Sequence, residues 1–251
     1  MRGLGLHSMS KNILITGVSR GLGLAVANAV IAVGWTVYGV SRTSSPEFAA
    51  LAAQAPERVK FLAFDLADAD GVAQGIFGAD FAGLQVPLHG FVNNAASAYD
   101  DLVSNLDLER LQAMYAVNVF APMVATKHFI RNALLHGQGG SIVHVSSISA
   151  HTGYKGLAMY ASAKGALEAF SKNTAREWGE RGIRSNCVVP GFMETAMSGS
   201  LSDEQRKRIY SRTALKVPAS LESVAATVVF LLGEGASSIT GQNLFVDSGT
   251  I

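Results

Sequence analysis

The sequence is poor in residues that build covalent cross-links and metal centres. Only one of its 251 residues is a cysteine, Cys187, which excludes an internal disulfide and any site with several cysteine ligands. Cys187 lies in the apolar run SNCVVP, so we interpret it as a small buried residue rather than a catalytic thiol. The six histidines show no H-x-x-x-H spacing, and no metal site is therefore predicted.

The chain also lacks an excess of one charge and lacks long hydrophobic runs. Its net charge is +1 with no basic block, which argues against nucleic acid or an anionic membrane surface as a partner. No apolar run approaches the roughly 18 residues that a membrane span needs. The start, MRGLGLHSMSKN, has no apolar core of a secretory signal, so we predict a cytoplasmic protein. We interpret residues 1–8 as an N-terminal extension and residues 9–251 as one domain.

Short apolar runs alternate with longer helical patterns along the chain. Seven runs are candidate strands: NILITG, TVYGVS, VKFLAF, HGFVNN, SIVHVSS, IRSNCVV and NLFVD. Several are nearly continuous in apolar residues, as strands buried on both faces are. The alternation predicts an α/β fold with a seven-stranded, doubly wound parallel sheet and helices on both faces. Residues 192–217 interrupt the rhythm, and we predict a substrate lid there.

A glycine-rich turn follows the first predicted strand. In TGVSRGLG, residues 16–23, Gly17, Gly21 and Gly23 leave the backbone open where a helix begins. Exposed amides at a helix start suit a pyrophosphate, as in dinucleotide-binding folds. The spacing differs from the familiar G-x-G-x-x-G, and a plain tight turn is the alternative.

The segment YASAK places Tyr160 and Lys164 four positions apart in a predicted helix. Residues at this spacing share one helix face, so the phenol and the ammonium are expected to be neighbours. A nearby ammonium lowers the pKa of a phenol, which suits a proton donor in carbonyl reduction. The alternative is a surface pair without a role.

Several weak motifs occur together in one order. They are TGVSRGLG, NNAA at 93–96, Asn118, Ser147, YASAK and PGFMET at 190–195. With them the chain resembles the short-chain dehydrogenase/reductase family from about residue 11 to its C-terminus. PGFMETAMSGSLSDEQ and the ending ITGQNLFVDSGT make it most similar to the 3-oxoacyl-(acyl-carrier-protein) reductases. Ala96 departs from the glycine that is usual at that position.

The resemblance implies a Rossmann fold and an NADP(H)-dependent reductase. It implies the catalytic residues Asn118, Ser147, Tyr160 and Lys164. Asn118 would hold a water near Lys164, and Ser147, rather than Ser146, would bond the substrate oxygen. The implied cofactor-binding residues are Gly17, Ser19, Arg20, Gly21, Leu22, Gly23, Ser41, Arg42, Asp65, Leu66, Asn93, Ala95, Tyr160, Lys164, Pro190, Gly191, Met193 and Thr195.

The end of the second predicted strand indicates which nicotinamide cofactor is used. NAD enzymes of this fold carry an acid there, whereas VYGVSRTSS offers Ser41 and Arg42. Arg42, with Arg20 from the glycine turn, could bind a 2′-phosphate, so we predict NADPH. The alternative is that both arginines are solvated surface residues.

The substrate is less well defined by the sequence. Candidate pocket residues are His151, Tyr154, Met193, Met197, Leu201 and Tyr210. The resemblance implies fatty acid biosynthesis and an acidic carrier protein; Arg181 matches one basic docking position, but Gln138 stands at the other. A 3-oxoacyl thioester, another ketone such as a polyketide, small diketone or sugar, and a non-catalytic nucleotide-binding regulator stay open. The resemblance also implies a homotetramer, paired through helices around 106–135 and 157–180.

Overall fold

The centre of the molecule is a parallel β-sheet. The computed structural model describes residues 10–195 and 202–251. Its strands are β1 (Asn12–Thr16), β2 (Thr36–Ser41), β3 (Val59–Ala63), β4 (Gly90–Asn93), β5 (Gly140–Val145), β6 (Ile183–Pro190) and β7 (Asn243–Val246). They are parallel throughout, in the order β3-β2-β1-β4-β5-β6-β7. The predicted seven-stranded doubly wound sheet is confirmed.

Helices connect the strands. They are α1 (Gly21–Ala32), α2 (Pro46–Gln54), α3 (Val72–Gly75), α4 (Leu108–Tyr115), α5 (Ala121–Leu135), α6 (Ala158–Trp178), α7 (Asp203–Arg212) and α8 (Leu221–Leu232). A π-helical segment, Ala116–Phe120, joins α4 to α5, and a short 3-10 turn, Ile148–Ala150, follows β5. None of the helices that the structure describes is long and apolar enough to cross a membrane.

Strand alternation divides the core between the two faces of the sheet. Ile13 and Ile15 of β1 pack in one cluster with residues of α1 and α8. Leu14, between them, packs in the other cluster with Phe129 of α5 and Phe91 of β4. Both faces are therefore covered by helices, which is why the strands are nearly continuous in apolar residues.

The strand order reverses between β1 and β4. The chain leaves β1 toward β2 and β3 on one side of the sheet, then returns to β4 on the other. In open α/β sheets a crevice forms at this reversal, beyond the carboxyl ends of the strands. The glycine turn follows β1 and the NNAA segment follows β4, so both lie at this crevice.

The predicted lid contains helix α7. Ser202 caps this helix with a reciprocal capping box to Gln205, which explains why the helix begins there. The lid candidates Met197 and Leu201 lie outside the described residues, as does the predicted extension at 1–8.

A buried histidine lies in the middle of the sheet. His144 of β5 is fully enclosed, and its Nδ1 lies 3.3 Å from Nδ2 of Asn93 on β4. Burial, with a smaller contribution from the Lys164 ammonium, lowers the pKa of His144 to about 3. The imidazole is therefore neutral at physiological pH.

His144 should make the folded state sensitive to acid. Its folded pKa lies below the unfolded value near 6.5, so the unfolded chain binds the proton first between about pH 6.5 and 3. The free energy of unfolding should fall through this window by up to about 1.4 kcal/mol per pH unit from this group. We expect His144→Leu to flatten that slope in urea unfolding from pH 7 to 4, and the partly buried His128→Leu to change it less. An unchanged slope in His144→Leu would contradict the assignment.

Candidate active site

Tyr160 and Lys164 share one face of α6, as the sequence predicts. The Lys164 side chain is 2% exposed, and its Nζ donates a 2.7 Å hydrogen bond to the carbonyl oxygen of Val145 at the end of β5. The same Nζ lies 5.5 Å from the centre of the Tyr160 ring. Burial lowers the pKa of Lys164 to about 8. One helix face therefore brings a phenol and an ammonium to the carboxyl edge of the sheet.

The expected lowering of the Tyr160 pKa is wrong for this arrangement. Burial raises the pKa of Tyr160 to about 12, and the Asp100 carboxylate adds to the effect. The Lys164 ammonium lies over the ring and donates to the Val145 carbonyl, and desolvation of the phenolate is the main influence on the phenol. Tyr160 consequently keeps its proton at neutral pH, which is the form that a proton donor requires.

Ser147 and Ser146 point in different directions, as strand alternation predicts. Ser146 is buried, and its hydroxyl donates to a carboxylate oxygen of Glu168. Ser147 is half-buried, and its Oγ accepts hydrogen bonds from Ser149 N at 3.2 Å and Ser149 Oγ at 3.0 Å. Because both bonds are donated to Ser147, its own hydroxyl hydrogen is left for an acceptor in the crevice.

Asn118 lies in the π-helical segment and has a structural contact that the sequence did not reveal. Its Oδ1 accepts from Ser97 N at 2.7 Å, and its Nδ2 donates to Ser97 O at 2.8 Å. The side chain thus fixes the loop that follows β4. A π-helical turn releases backbone groups from the regular helical pattern and is frequent at functional sites.

The glycine turn brings backbone segments closer than other residues would allow. Gly17 and Gly21 have φ angles of +74° and +56°, a region that favours glycine. A Cβ on Gly23 would lie 2.0 Å from the Gly17 carbonyl oxygen, whereas one on Gly21 would meet, among the residues that the structure describes, only Thr195, at 3.9 Å. Leu22, between them, is buried in the core. Gly23 therefore sets the close packing of the turn, and no other described residue fills the space beside Gly21.

Asn93, the last residue of β4, and Asn94, which follows it, have separate roles that the sequence did not distinguish. Asn93 is buried beside His144. Asn94, which was not predicted as a site residue, donates from Nδ2 to the carbonyl oxygens of Thr16 and Gly17, at 3.0 and 3.2 Å. Ala95 N donates to Thr16 Oγ1 at 3.1 Å. Asn94 and Thr16 thus tie the loop after β4 to the glycine turn.

Helix α1 begins without a side-chain cap. At α2, α4, α7 and α8 a serine or aspartate accepts from a first-turn amide, whereas Arg20 at the start of α1 makes no such bond. First-turn amides that no side chain satisfies, together with the helix dipole, favour an anion. The open space beside Gly21 lies at the same helix start, so this end of α1 fits the pyrophosphate of a dinucleotide.

The end of β2 carries the residues expected to contact the ribose and its phosphate. Ser41 Oγ accepts from Ser19 N at 3.2 Å, which joins β2 to the glycine turn. Arg20 and Arg42 are exposed, and neither forms an ion pair with another described residue. Two guanidinium groups are thus available at this end of the sheet.

The remaining predicted cofactor residues lie at the ends of β3 and β6. Asp65 Oδ1 accepts from Ala67 N at 3.0 Å, and Leu66 is buried. A Cβ on Gly191 would lie 2.6 Å from Asp247 Cα, so glycine is required after Pro190. The structure therefore brings the predicted cofactor residues of β1, β2, β3, β4 and β6 to one edge of the sheet.

The residues predicted to line the substrate pocket are partly polar. Tyr154 is 38% exposed. The buried part of its side chain raises its pKa, and Arg212 of α7 acts in the opposite direction. Tyr210 and Arg206 of α7 both donate to the Glu194 carboxylate. The Phe192 and Tyr210 rings are 6.0 Å apart. Helix α7 is thus attached to the loop that contains Met193 and Thr195.

A family model described as enoyl-(acyl carrier protein) reductase matches residues 17–250. The match covers the glycine turn, the Tyr160 and Lys164 helix and the loop after β6. The chain belongs to the short-chain dehydrogenase/reductase family. It is therefore an oxidoreductase of that family, and the predicted resemblance is confirmed.

Individual relatives agree with this assignment. The 3-oxoacyl-(acyl-carrier-protein) reductase FabG of Salmonella typhimurium is 32% identical over 95% of this chain and 96% of that protein. A Beutenbergia cavernae protein, provisionally described as an NAD(P)-dependent gluconate 5-dehydrogenase, has a TM-score of 0.88 and 28% identity over 97% and 98% of the chains. A short-chain type dehydrogenase/reductase from Mycobacterium ulcerans has a TM-score of 0.87 and 27% identity over 96% and 89%.

The close approach at Gly23 generates a prediction. Gly23→Ala forces its Cβ against the Gly17 carbonyl, and such overpacking costs about 1–3 kcal/mol. We expect a lower Tm and roughly tenfold weaker NADPH binding, measured by fluorescence titration. Gly179→Ala is the matched control, because Gly179 has a φ of −57° and no other described residue comes within 4 Å of its Cβ position. Equal effects of the two substitutions would contradict the proposed packing.

Proposed function

We propose that the protein is an NADPH-dependent reductase of a 3-oxoacyl thioester, forming the 3-hydroxyacyl product. The observation that carries this proposal is the convergence of a protonated Tyr160, a buried Lys164 and a donor-ready Ser147 at the carboxyl edge of the sheet. Two hydroxyl donors directed at one oxygen suit the reduction of a carbonyl.

The predicted nicotinamide cofactor is confirmed for the family by solved relatives that hold it, such as the Beutenbergia cavernae protein with bound NADP at low occupancy. In this chain the uncapped start of α1 and the space beside Gly21 would hold the pyrophosphate. Arg20 and Arg42 would bind a 2′-phosphate. When bound, the nicotinamide supplies the hydride.

The chain's own residues would manage the proton and the developing charge. Ser147 donates to the substrate oxygen and fixes its position. Tyr160 gives its proton to the same oxygen as negative charge develops there, because burial keeps the phenol protonated until that point. Lys164 holds positive charge beneath the phenol and is anchored by Val145.

The charge around the site supports a substrate with an anionic handle. Lys207, Arg208 and Arg212 are exposed on α7, and Arg212 acts electrostatically on Tyr154 at the substrate side. Arg181 is exposed, but it precedes β6 and so lies at the amino edge of the sheet in the same subunit, away from the carboxyl edge. Gln138 donates to Leu88 O at 3.0 Å and adds no charge, so carrier docking would rest on the other basic residues.

A second candidate is the oxidation or reduction of a sugar acid. Relatives provisionally described as gluconate dehydrogenases support it, since their structures superpose over nearly the whole chain. The exposed basic residues of α7 would suit a small carboxylate as well as an acidic carrier protein.

We also propose that the protein assembles as a homotetramer. Leu108 of α4 and Phe120 of the π-helical segment are 60% and 51% exposed, which is a large apolar surface for one subunit to leave in water. Phe245 of β7 is 43% exposed at the far edge of the sheet and could form a second contact.

The proposed chemistry is tested with a carbonyl panel. We expect NADPH oxidation with acetoacetyl thioesters to exceed that with free diketones and 5-ketogluconate. Tyr160→Phe should lower kcat by about a hundredfold or more, since the ring still packs but the proton donor is lost. NADPH affinity should stay near the parent value. Turnover of 5-ketogluconate alone would favour the second candidate, and near-normal turnover in Tyr160→Phe would exclude the mechanism.

Cofactor preference is tested at the end of β2. Ser41→Asp can still accept from Ser19 N, but it places a negative charge against a 2′-phosphate. We expect it to shift kcat/KM from NADPH toward NADH. Arg42→Ala should weaken NADPH by about tenfold, because a charge-assisted bond contributes roughly 1.5–3 kcal/mol.

Arg131→Ala, an exposed arginine on α5, is the matched control for Arg42→Ala. A parent enzyme that prefers NADH, or two substitutions that leave the cofactor ratio unchanged, would overturn the NADPH assignment.

A further inference from the structure

Glu168 is a buried acid on the same face of α6 as the catalytic pair. It follows Tyr160 and Lys164 at the same spacing of four residues, and it is only 7% exposed. Carboxylates are seldom buried unless donors surround them. The mechanism described above makes no use of this group, so its burial needs a separate explanation.

Three side chains from three segments lie within hydrogen-bond distance of this carboxylate. Ser146 at the end of β5 donates through its hydroxyl, and Asn243 Nδ2 at the start of β7 donates at 2.6 Å. His151 Nε2, just beyond the 3-10 turn, lies 2.9 Å from both carboxylate oxygens. The Glu168 carboxylate thus joins α6 to the end of β5, to β7 and to the segment after the 3-10 turn, which contains His151.

The catalytic serine lies between two of these partners. Ser146 and His151 bound a six-residue arc, 146–151, and both ends of the arc bind the same carboxylate. Within the arc, Ser149 donates twice to Ser147 Oγ. The position of the Ser147 hydroxyl relative to α6 therefore depends on the bonds at both ends of the arc.

We propose that Glu168 is a positioning residue for the reaction: it holds the 146–151 arc against α6, so that Ser147 stays aligned with Tyr160. This inference rests on the proposed reductase function. Glu168 does not contact the reacting atoms, and it acts only through Ser146 and His151. Its contribution should therefore depend on the presence of the Ser147 hydroxyl.

A double-mutant cycle measures this dependence. We expect Glu168→Ala to lower kcat by about tenfold or more and to leave the NADPH dissociation constant within about twofold. In a Ser147→Ala background the same substitution should cost no more than about twofold. Glu177→Ala, which removes an exposed acid from the same helix, is the matched control. The proposal would be overturned if the double mutant lost activity by the product of the two single-mutant losses. It would also be overturned if Glu168→Ala kept the kcat of the parent enzyme.

Glu168→Gln keeps the size and shape of the side chain. It is the second variant for the case in which Glu168→Ala does not fold. Asn243 Oδ1 is buried and lacks a hydrogen-bond partner within the described chain, so a rotated Asn243 amide could accept from the new glutamine. We expect Glu168→Gln to retain more activity than Glu168→Ala. If Glu168→Ala does not fold, the cycle is run with Glu168→Gln, whose smaller loss must likewise vanish without Ser147.

Hydrogen exchange separates this proposal from the proposed function. Amide exchange in the 146–156 peptide should be faster in Glu168→Ala or Glu168→Gln than in the parent, and unchanged in Glu177→Ala. A parent protein that reduces no carbonyl would reject the reductase function, while faster exchange would still show that Glu168 holds the arc. If the parent protein is active and the Glu168 variants exchange at the parent rate, the role of Glu168 is rejected and the reductase function stands.

Discussion

The hydrogen bond from Lys164 Nζ to the Val145 carbonyl oxygen joins helix α6 to the sheet. A buried ammonium is costly, as the lowered pKa of about 8 shows, and this charge-assisted bond offsets part of that cost. It also fixes the rotation of α6, so that residues spaced by four along the helix face the end of β5. Tyr160, Lys164 and Glu168 are directed by the same constraint, and Ser147 lies two residues beyond Val145, which accepts the bond.

The cofactor side depends on a second set of contacts, at the reversal of strand order. Glycine at position 23 lets α1 start against the Gly17 carbonyl, and Asn94 closes the same turn from β4. Because the Arg20 side chain makes no capping hydrogen bond, the first amides of α1 keep their partial positive charge for a ligand in the crevice. The glycine turn after β1 and the loop after β4 thus meet where these two strands lie side by side.

Much of this architecture could be predicted from sequence because its determinants are local. Apolar runs identify all seven strands, and a spacing of four places Tyr160 beside Lys164. The contacts of Glu168 and Asn94 could not be predicted, since their partners lie far away in the chain or on another strand. The sign of the Tyr160 pKa shift was missed for a related reason. Spacing predicts that an ammonium is close, but burial and Asp100, which raise the pKa of Tyr160, depend on the fold.

The protonation states of the site determine what it can offer a substrate. Tyr160 holds its proton well above neutral pH, and the two bonds that Ser147 accepts leave its hydrogen free. Hydroxyl donors of this kind are complementary to an oxygen that gains negative charge. Running the reaction as an oxidation would first require the phenol to lose its proton, which becomes harder as its pKa rises. Burial raises the pKa of Tyr160 and lowers the pKa of Lys164. The low-dielectric environment of the site therefore keeps the phenol in its donor form and limits the positive charge on the Lys164 ammonium.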